Sequence, residues 1–414
     1  MDTLVSGAAI SVGLTRRCGA ALRRLRQIGP VAMATVFSAG MLAALPAAAQ
    51  VKIGFITTLS TPAGYLGEDA RDGFLLAVEE ERGRLGGVAV QVVVEDDKLQ
   101  PAAGKQIAEK FLQSDKIKLF SGLIFSNVAA AVVPDLLAAN AIFVSPNAAP
   151  SNFAGKGCHK NYFVASWQND SLHAASGALA QNLGYKRMVL LAPNYQAGKD
   201  ALNGFKTKYK GAVVEEIYTN LNSTDFAAEM ARIRQLRPDA VYQFHPGGSG
   251  IAFIKQYSQA GLKSTIPLVV PMPGLEARIL SAVGDDAVGV IASSHWNADF
   301  DNAASKAFVE GFRRVYKREP TPYAAQGYDA AKLIAEAMRA TGGKVEDTER
   351  FRAAMAKAEA KLTRGNFRFG PNQHPVHDWY QISAVKGADG KLTLKTGAKV
   401  LTNEGDPYAQ ECKM

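Results

Sequence analysis

Four stretches of this chain carry residue types that could do chemistry. Asp96-Asp97 follows an apolar run and could act as paired carboxylates sharing a proton, although such a pair more often ends a strand and caps a turn. His374 and His377, in NQHPVHDW, are the only two of the six histidines at metal-ligand spacing, and they sit in a proline-containing loop that disfavours a metal site. Residues 141–149, AIFVSPNAA, run from apolar to small at Ser145-Pro146, which leaves the amides of Asn147, Ala148 and Ala149 bare at the lip of a sheet. SGLIFSN, at 121–127, ends an apolar run on Ser126-Asn127 in the same way. The first two stretches belong to catalysis or metal binding. The last two offer hydrogen-bond donors to something held.

The tools of common enzymes are missing. There is no G-x-S-x-G elbow, since GGSGI at 247–251 does not fit it, and no G-x-x-x-x-G-K-[ST] loop. No G-x-G-x-x-G follows the first strand, and H-E-x-x-H does not occur. The reading is therefore a binding protein, not an enzyme, with no cofactor and no metal.

The elements that must position these residues alternate. Strands are predicted at 51–57, 88–95, 117–124 and 141–145, with helices at 66–85, 101–114 and 127–139 between them. The pattern restarts with strands at 187–192, 213–219, 240–244 and 266–271 and helices at 197–209, 225–236, 249–261 and 275–283. Continuous apolar strands separated by helices mean a parallel sheet covered on both faces. The fold class is α/β, with two doubly wound parallel-sheet lobes joined by a multi-strand hinge. Crossings are expected near 162–170 and 293–300, followed by helices at 302–317 and 323–341 and a late strand at 377–385. This gives lobe I as 50–166 plus 295–374, lobe II as 167–294 plus 375–391, and a C-terminal tail at 392–414. Ligands of open α/β sheets sit beyond the carboxyl ends of the strands, so two such edges facing each other make a cleft.

The first 49 residues read as a secretory signal peptide. Five arginines between Arg16 and Arg26 precede the apolar stretch VAMATVFSAGMLAAL, and Ala47-Ala48-Ala49 supplies the small residues for cleavage near Ala49. An uncleaved anchor is the rival, but about 15 apolar residues is short for a span. The expected location is the periplasm. Removing the leader takes five arginines and one aspartate from a chain of net charge +9, leaving about +5. With no basic block interleaved with aromatics, nucleic acid is not an expected partner. In an oxidising compartment the two remaining cysteines, Cys158 and Cys412, are most simply a disulfide, with two free thiols as the alternative.

VKIGFITTLSTPAGYLGEDARDGFLLAVEE, SGLIFSN, FVSPNAA, the Tyr328-Asp329-Ala330 of GYDAAKLIAEAM and HDWYQISAV together resemble the periplasmic solute-binding proteins of ABC importers. The specific likeness is to the type I, leucine/isoleucine/valine-binding group, over essentially all of 51–390. The resemblance implies a two-lobed Venus flytrap, expected as a monomer, that delivers its ligand to an inner-membrane permease. It also implies that Ser126-Asn127 and Asn147-Ala148-Ala149 grip a ligand carboxylate. The expected helix after Ser126 agrees, because helix N-termini carry free N–H groups and partial positive charge.

The departures from that group concern the ligand's other end. Its amino-acid binders hold an ammonium with acids and an aromatic hydroxyl of the second lobe. Here the first acid's place holds Pro193, the tyrosine's place Ala197 with Tyr195 nearby, and the second acid's place Met272 or Pro273, while Glu276 is expected to be carried away by its helix. An unpaired buried ammonium costs several kcal/mol. The cleft instead offers Tyr65, Phe125, Trp167, Tyr195, His245 and Met272, with Tyr195, Gln196 or His245 to meet a ring substituent. This is similar to family members that take up benzoate- or hydroxycinnamate-like acids. A branched-chain amino-acid or amide binder, and the ligand-sensing subunit of a signalling system, are the alternatives.

Overall fold

The structure, a computed structural model, describes residues 50–414; the expected signal peptide lies outside them. The chain opens with β1 (Val51–Thr57), α1 (Tyr65–Glu80), the short β2 (Arg84–Leu85), β3 (Val88–Asp96), α2 (Pro101–Gln113), β4 (Leu119–Gly122), α3 (Ser126–Ala138), β5 (Ile142–Ser145) and β6 (Tyr162–Val164). Their strands form one sheet in the order β2-β3-β1-β4-β5-β6, parallel except for the β2–β3 pair. The fully buried β4 and β5 read as unbroken apolar runs because helices cover both faces.

A second unit follows. It runs through α4 (Asn169–Asn182), β7 (Arg187–Pro193), α5 (Gln196–Lys208), β8 (Ala212–Thr219), α6 (Ala227–Leu236), β9 (Ala240–Gln243), α7 (Gly248–Gln259), β10 (Leu268–Pro271), α8 (Ala277–Val283) and β11 (Ile291–Ser294). The chain then adds α9 (Ala303–Tyr316), α10 (Pro322–Thr341) and α11 (Thr348–Ala356), whose Phe308, Phe312, Leu333 and Phe351 pack into the core of the first sheet. It ends with β12 (Phe367–Phe369), β13 (Pro375–Lys386) and β14 (Leu392–Glu404). The second sheet has the order β12-β13-β11-β10-β9-β7-β8, with β14 beside β13. Its members from β11 to β8 are parallel, and β13 runs antiparallel to β11, β12 and β14. Both sheets are thus mixed but mainly parallel. Residues 392–404, inside the expected tail, pair with β13 because their apolar side chains alternate with Lys and Thr at strand period.

Each sheet has a point where strand order reverses: between β1 and β4 in the first, and between β7 and β9 in the second. Such reversals open a crevice beyond the strand ends. The buried Arg364, whose Nε lies 3.0 Å from Asp329 Oδ2 and whose Nη1 donates to the Ser166 carbonyl, ties α10 to the first crossing between the sheets. Cys158 and Cys412 form the expected disulfide, with Cα atoms 5.7 Å apart. No helix among the described residues is long and apolar enough to cross a membrane.

Candidate functional site

A narrow cavity lies where the two reversals face each other. Its walls bound about 390 Å³ of space, part of it open to solvent. From the first sheet come Ile124, Phe125 and Ser126 after β4, Asn147 and Ala148 after β5, and Leu66 after β1. The second sheet supplies Tyr195 and Ala197 after β7, Phe244 and Pro246 after β9, and Pro273 after β10. The crossing and α4 add Trp167, Asn169, Leu172 and His173, and α10 adds Tyr323. No Asp, Glu, Lys or Arg is among these residues. A wider groove of about 1470 Å³, lined by Ala277, Asn297, Arg313 and the Lys391–Lys395 segment, lies away from both reversals.

The first-sheet wall presents donors at α3 and an acceptor unpaired among the described residues, Asn147 Oδ1. α3 has Phe125 at its N-cap with no side-chain cap, so Ser126 is the first helical residue and its hydroxyl is not spent on the helix. The first amide bonded within α3 is that of Ala129, to Phe125 O, which leaves the N–H groups of Ser126, Asn127 and Val128 open. Asn169 Nδ2 donates to Ser126 Oγ at 3.1 Å, so the serine proton stays available. The loop after β5 is more occupied than its sequence suggests. The amide of Ala148 donates to Leu123 O at 3.1 Å, and Asn147 Nδ2 donates to Ile124 O at 2.8 Å. Ala148 therefore shapes the wall, and its amide is not bare.

Six of the sequence-derived ligand residues border the cavity: Phe125, Ser126, Asn147, Ala148, Trp167 and Tyr195. The other six lie behind it or beside it. Asn127 is half-buried and Ala149 fully buried, and neither borders the cavity. Met272 is fully buried among core residues. His245 turns inward, its Nε2 2.9 Å from Thr219 Oγ1 and its Nδ1 2.8 Å from Gln243 Oε1, stacked on Phe253. Gln196 Nε2 donates to Asp200 Oδ1 at 2.8 Å. Tyr65 reaches across, its hydroxyl donating to Glu276 Oε1 at 3.3 Å. Asn169, Leu172, His173, Phe244 and Tyr323 border the cavity without having been singled out in the sequence.

Two acids lie close to the cavity and both are engaged. Asp200 accepts from the amide and hydroxyl of Ser151, from Asn169 Nδ2 at 3.0 Å and from Gln196. Glu276 is not carried away by its helix. It caps α8, accepting from the amides of Arg278 and Ile279, and meets Tyr65. Burial raises its carboxyl to about 7, and nearby Asp69 adds to this. Burial also holds Tyr195 and Tyr323 protonated far above the usual phenol range. It lowers His173 to about 3. The cavity wall is therefore neutral throughout.

The other sequence candidates are structural. Asp96 accepts from Leu59, Ser60 and Lys98, and Asp97 from Thr58 and Leu99, as turn caps. Among the described residues no cluster of three or more His, Cys, Asp or Glu could hold a metal.

Two mainly parallel sheets that face a neutral cavity across their strand ends have the architecture of a two-lobed binding protein. A family model described as periplasmic binding protein matches residues 50–391, and the chain belongs to that family of solute-binding, non-enzymatic proteins. It is 29% identical over 394 residues to the Leu/Ile/Val-binding protein homolog 6 of Brucella melitensis biotype 1, covering 92% of this chain and 99% of that one. Among solved structures it is similar to an ABC transporter solute-binding protein from R. palustris in complex with benzoate. That match has 31% identity and a TM-score of 0.83, covering 88% of this chain and 100% of the other. A second R. palustris solute-binding protein, in complex with 4-hydroxybenzoate, matches with 27% identity and a TM-score of 0.79, over 86% and 98% of the two chains.

Proposed function

We propose that this protein is the periplasmic, signal-peptide-exported receptor of an ABC importer, and that it captures an aromatic carboxylate between its two lobes. The observation that carries the choice of cargo is the charge pattern of the cavity. Its wall holds an open helix N-terminus, hydroxyls, an indole and a neutral imidazole, and no Asp, Glu, Lys or Arg. A carboxylate docked at Ser126 would be met by the Ser126 hydroxyl and the first-turn amides of α3, with the partial charge of the helix behind them. An ammonium would meet only neutral groups, since Asp200 and Glu276 are both engaged elsewhere. Phe125, Trp167 and Phe244 give the ring flat apolar contacts. The similar structures that hold benzoate and 4-hydroxybenzoate support the same reading.

The lobes correspond to the two sheets with their helices, hinged at the crossings after β6 and β11 and before β13. Contacts across the cleft describe closure. Gly247, at φ +67°, brings its backbone so near Ala63 that a Cβ would lie 2.9 Å from the alanine Cβ. On this reading the ring enters while the lobes are apart. Ligand binding then shifts the open–closed equilibrium, and a permease of the inner membrane reads the closed surface.

Refolding to strip carried ligand, followed by titration calorimetry against benzoate, coumarate and leucine, tests this. Binding of one or both aromatic acids is the expected result. Tight binding of leucine with no response to either aromatic acid overturns the choice of cargo.

A further inference from the structure

We propose that His173 selects a hydroxyl on the ligand's ring, so that the acid this pocket fits best is a hydroxylated aromatic carboxylate. The proposal rests on the carboxylate reading above and deepens it.

His173 lies on α4 four residues after Asn169, hence on the same face of the helix. It stands about 6 Å further along the axis. Asn169 Nδ2 is 3.1 Å from Ser126 Oγ, the expected carboxylate end. Asn169, which holds Ser126, and His173 thus stand about one helical turn apart on α4, and Ser126 and His173 border the same cavity. A single ring with a substituent opposite its carboxylate is of that order of length.

His173 is 1% exposed. Its Nδ1 pairs with the Tyr242 hydroxyl, and its ring meets Phe244 edge-on with centroids 4.7 Å apart. Nε2 has no partner among the described residues, and the one cavity that His173 borders is this one. A neutral imidazole carries one donor and one acceptor, and Tyr242 decides which of the two Nε2 becomes. A phenolic hydroxyl donates and accepts, so it satisfies Nε2 in either tautomer. A methyl group satisfies neither, and leaves a buried nitrogen unpaired.

The test compares benzoate, 4-hydroxybenzoate and 4-methylbenzoate by calorimetry on the stripped, refolded chain, alongside His173→Phe, His173→Gln and Tyr195→Phe. The wild-type protein is expected to bind 4-hydroxybenzoate about tenfold or more tighter than its methyl counterpart, the ratio an unpaired buried group implies. His173→Phe is expected to bring the two close to parity, His173→Gln to keep part of the preference, and Tyr195→Phe to keep it. Equal binding of the two acids by the wild-type protein overturns the proposal without any variant. So does a preference that survives in His173→Phe or vanishes in Tyr195→Phe. Failure of all three acids to bind overturns the carboxylate reading and this proposal with it; binding of all three with no role for His173 overturns this proposal alone.

Discussion

Arg278→Ala separates lobe closure from lobe stability. Arg278 stands on α8 against the second sheet, yet its Nη2 lies 2.8 Å from Asp69 Oδ1 and 3.3 Å from Glu68 Oε2 on α1 of the first. Its guanidinium also covers the Tyr65 ring at 5.3 Å. Asp69 is fully buried, and Arg278 Nη2 shares it with Arg318 Nη2 at 2.7 Å and with the Thr321 hydroxyl at 2.8 Å. Removing Arg278 therefore does not orphan the carboxylate. What is lost is the charge-assisted bond to Asp69, about 1.5–3 kcal/mol when desolvated, together with the longer, exposed contact to Glu68. Arg278 is 30% exposed and Glu68 40%, so solvent screening reduces the sum to about 1–2 kcal/mol. All of that loss falls on the closed form. Where closure limits binding, the dissociation constant rises by the same factor, about 5- to 30-fold. Arg318→Ala is the control, because Arg318 pairs with Asp69 and Asp72, both on α1 of the same lobe. It is expected to lower the melting temperature and leave affinity nearly unchanged. Calorimetry on both variants, with small-angle scattering of the ligand-free forms, checks the pair. If Arg278→Ala binds like the wild-type protein, or Arg318→Ala weakens binding as much, the clasp does not govern closure.

Ser126→Ala is expected to weaken aromatic-acid binding about tenfold, and Ser126→Asp to abolish it by placing like charge at the carboxylate; calorimetry reads both. Glu276 gives a pH dependence of defined sign: its carboxyl sits at about 7 in the closed fold against an ordinary 4.5, so the folded form holds the extra proton. Stability is then greatest below 4.5, falls as pH rises from 4.5 to 7, and is level above, by at most about 3 kcal/mol; thermal melts across that range should show the slope, and Glu276→Gln should flatten it. Reducing the disulfide, or replacing Cys158 and Cys412 with serine, frees a loop of 254 residues, whose closure is worth on the order of 5 kcal/mol as an upper bound from chain entropy. The melting temperature should drop by several degrees while ligand affinity persists.

The strand–helix alternation was readable because parallel strands covered on both faces leave long apolar runs, and β1, β3, β7 and β8 lie within two residues of their predicted bounds. α4 was not readable. Its sequence NDSLHAASGALAQN is buried on nearly every side, so small and polar residues replace the apolar stripe that marks a helix with one face in water. Missing α4 meant missing Asn169, Leu172 and His173 together. Tyr323 had a signal, an aromatic just inside a helix that Thr321 caps, but nothing local shows that this N-terminus points at the cleft. His245 and Gln196 illustrate the opposite case. Both are the right residue type at the right strand end, and both are consumed by partners: Thr219 and the near neighbour Gln243 for one, and Asp200, one turn further along α5, for the other. Position along a strand edge is legible in sequence. Whether a polar atom remains unspent is settled by tertiary contacts.

The charges of this molecule are sorted by task. Charged groups that cross between the sheets sit beside the cavity: Arg278 with Asp69 on one side, Asp200 with Ser151 on another, and Glu276 with Tyr65. Each acid is met by donors when the lobes are together, so closing costs little desolvation beyond what those bonds return. The cavity they surround is neutral, and its polar groups are amides, hydroxyls, an imidazole and an indole. A neutral wall matters because a fixed positive charge would bind any anion, inorganic ones included. Amides and hydroxyls, weaker and directional, bind firmly only when the rest of the guest fills the apolar remainder. On the proposed reading, selectivity for an aromatic acid over a small anion follows from withholding charge at the site while spending it on closure.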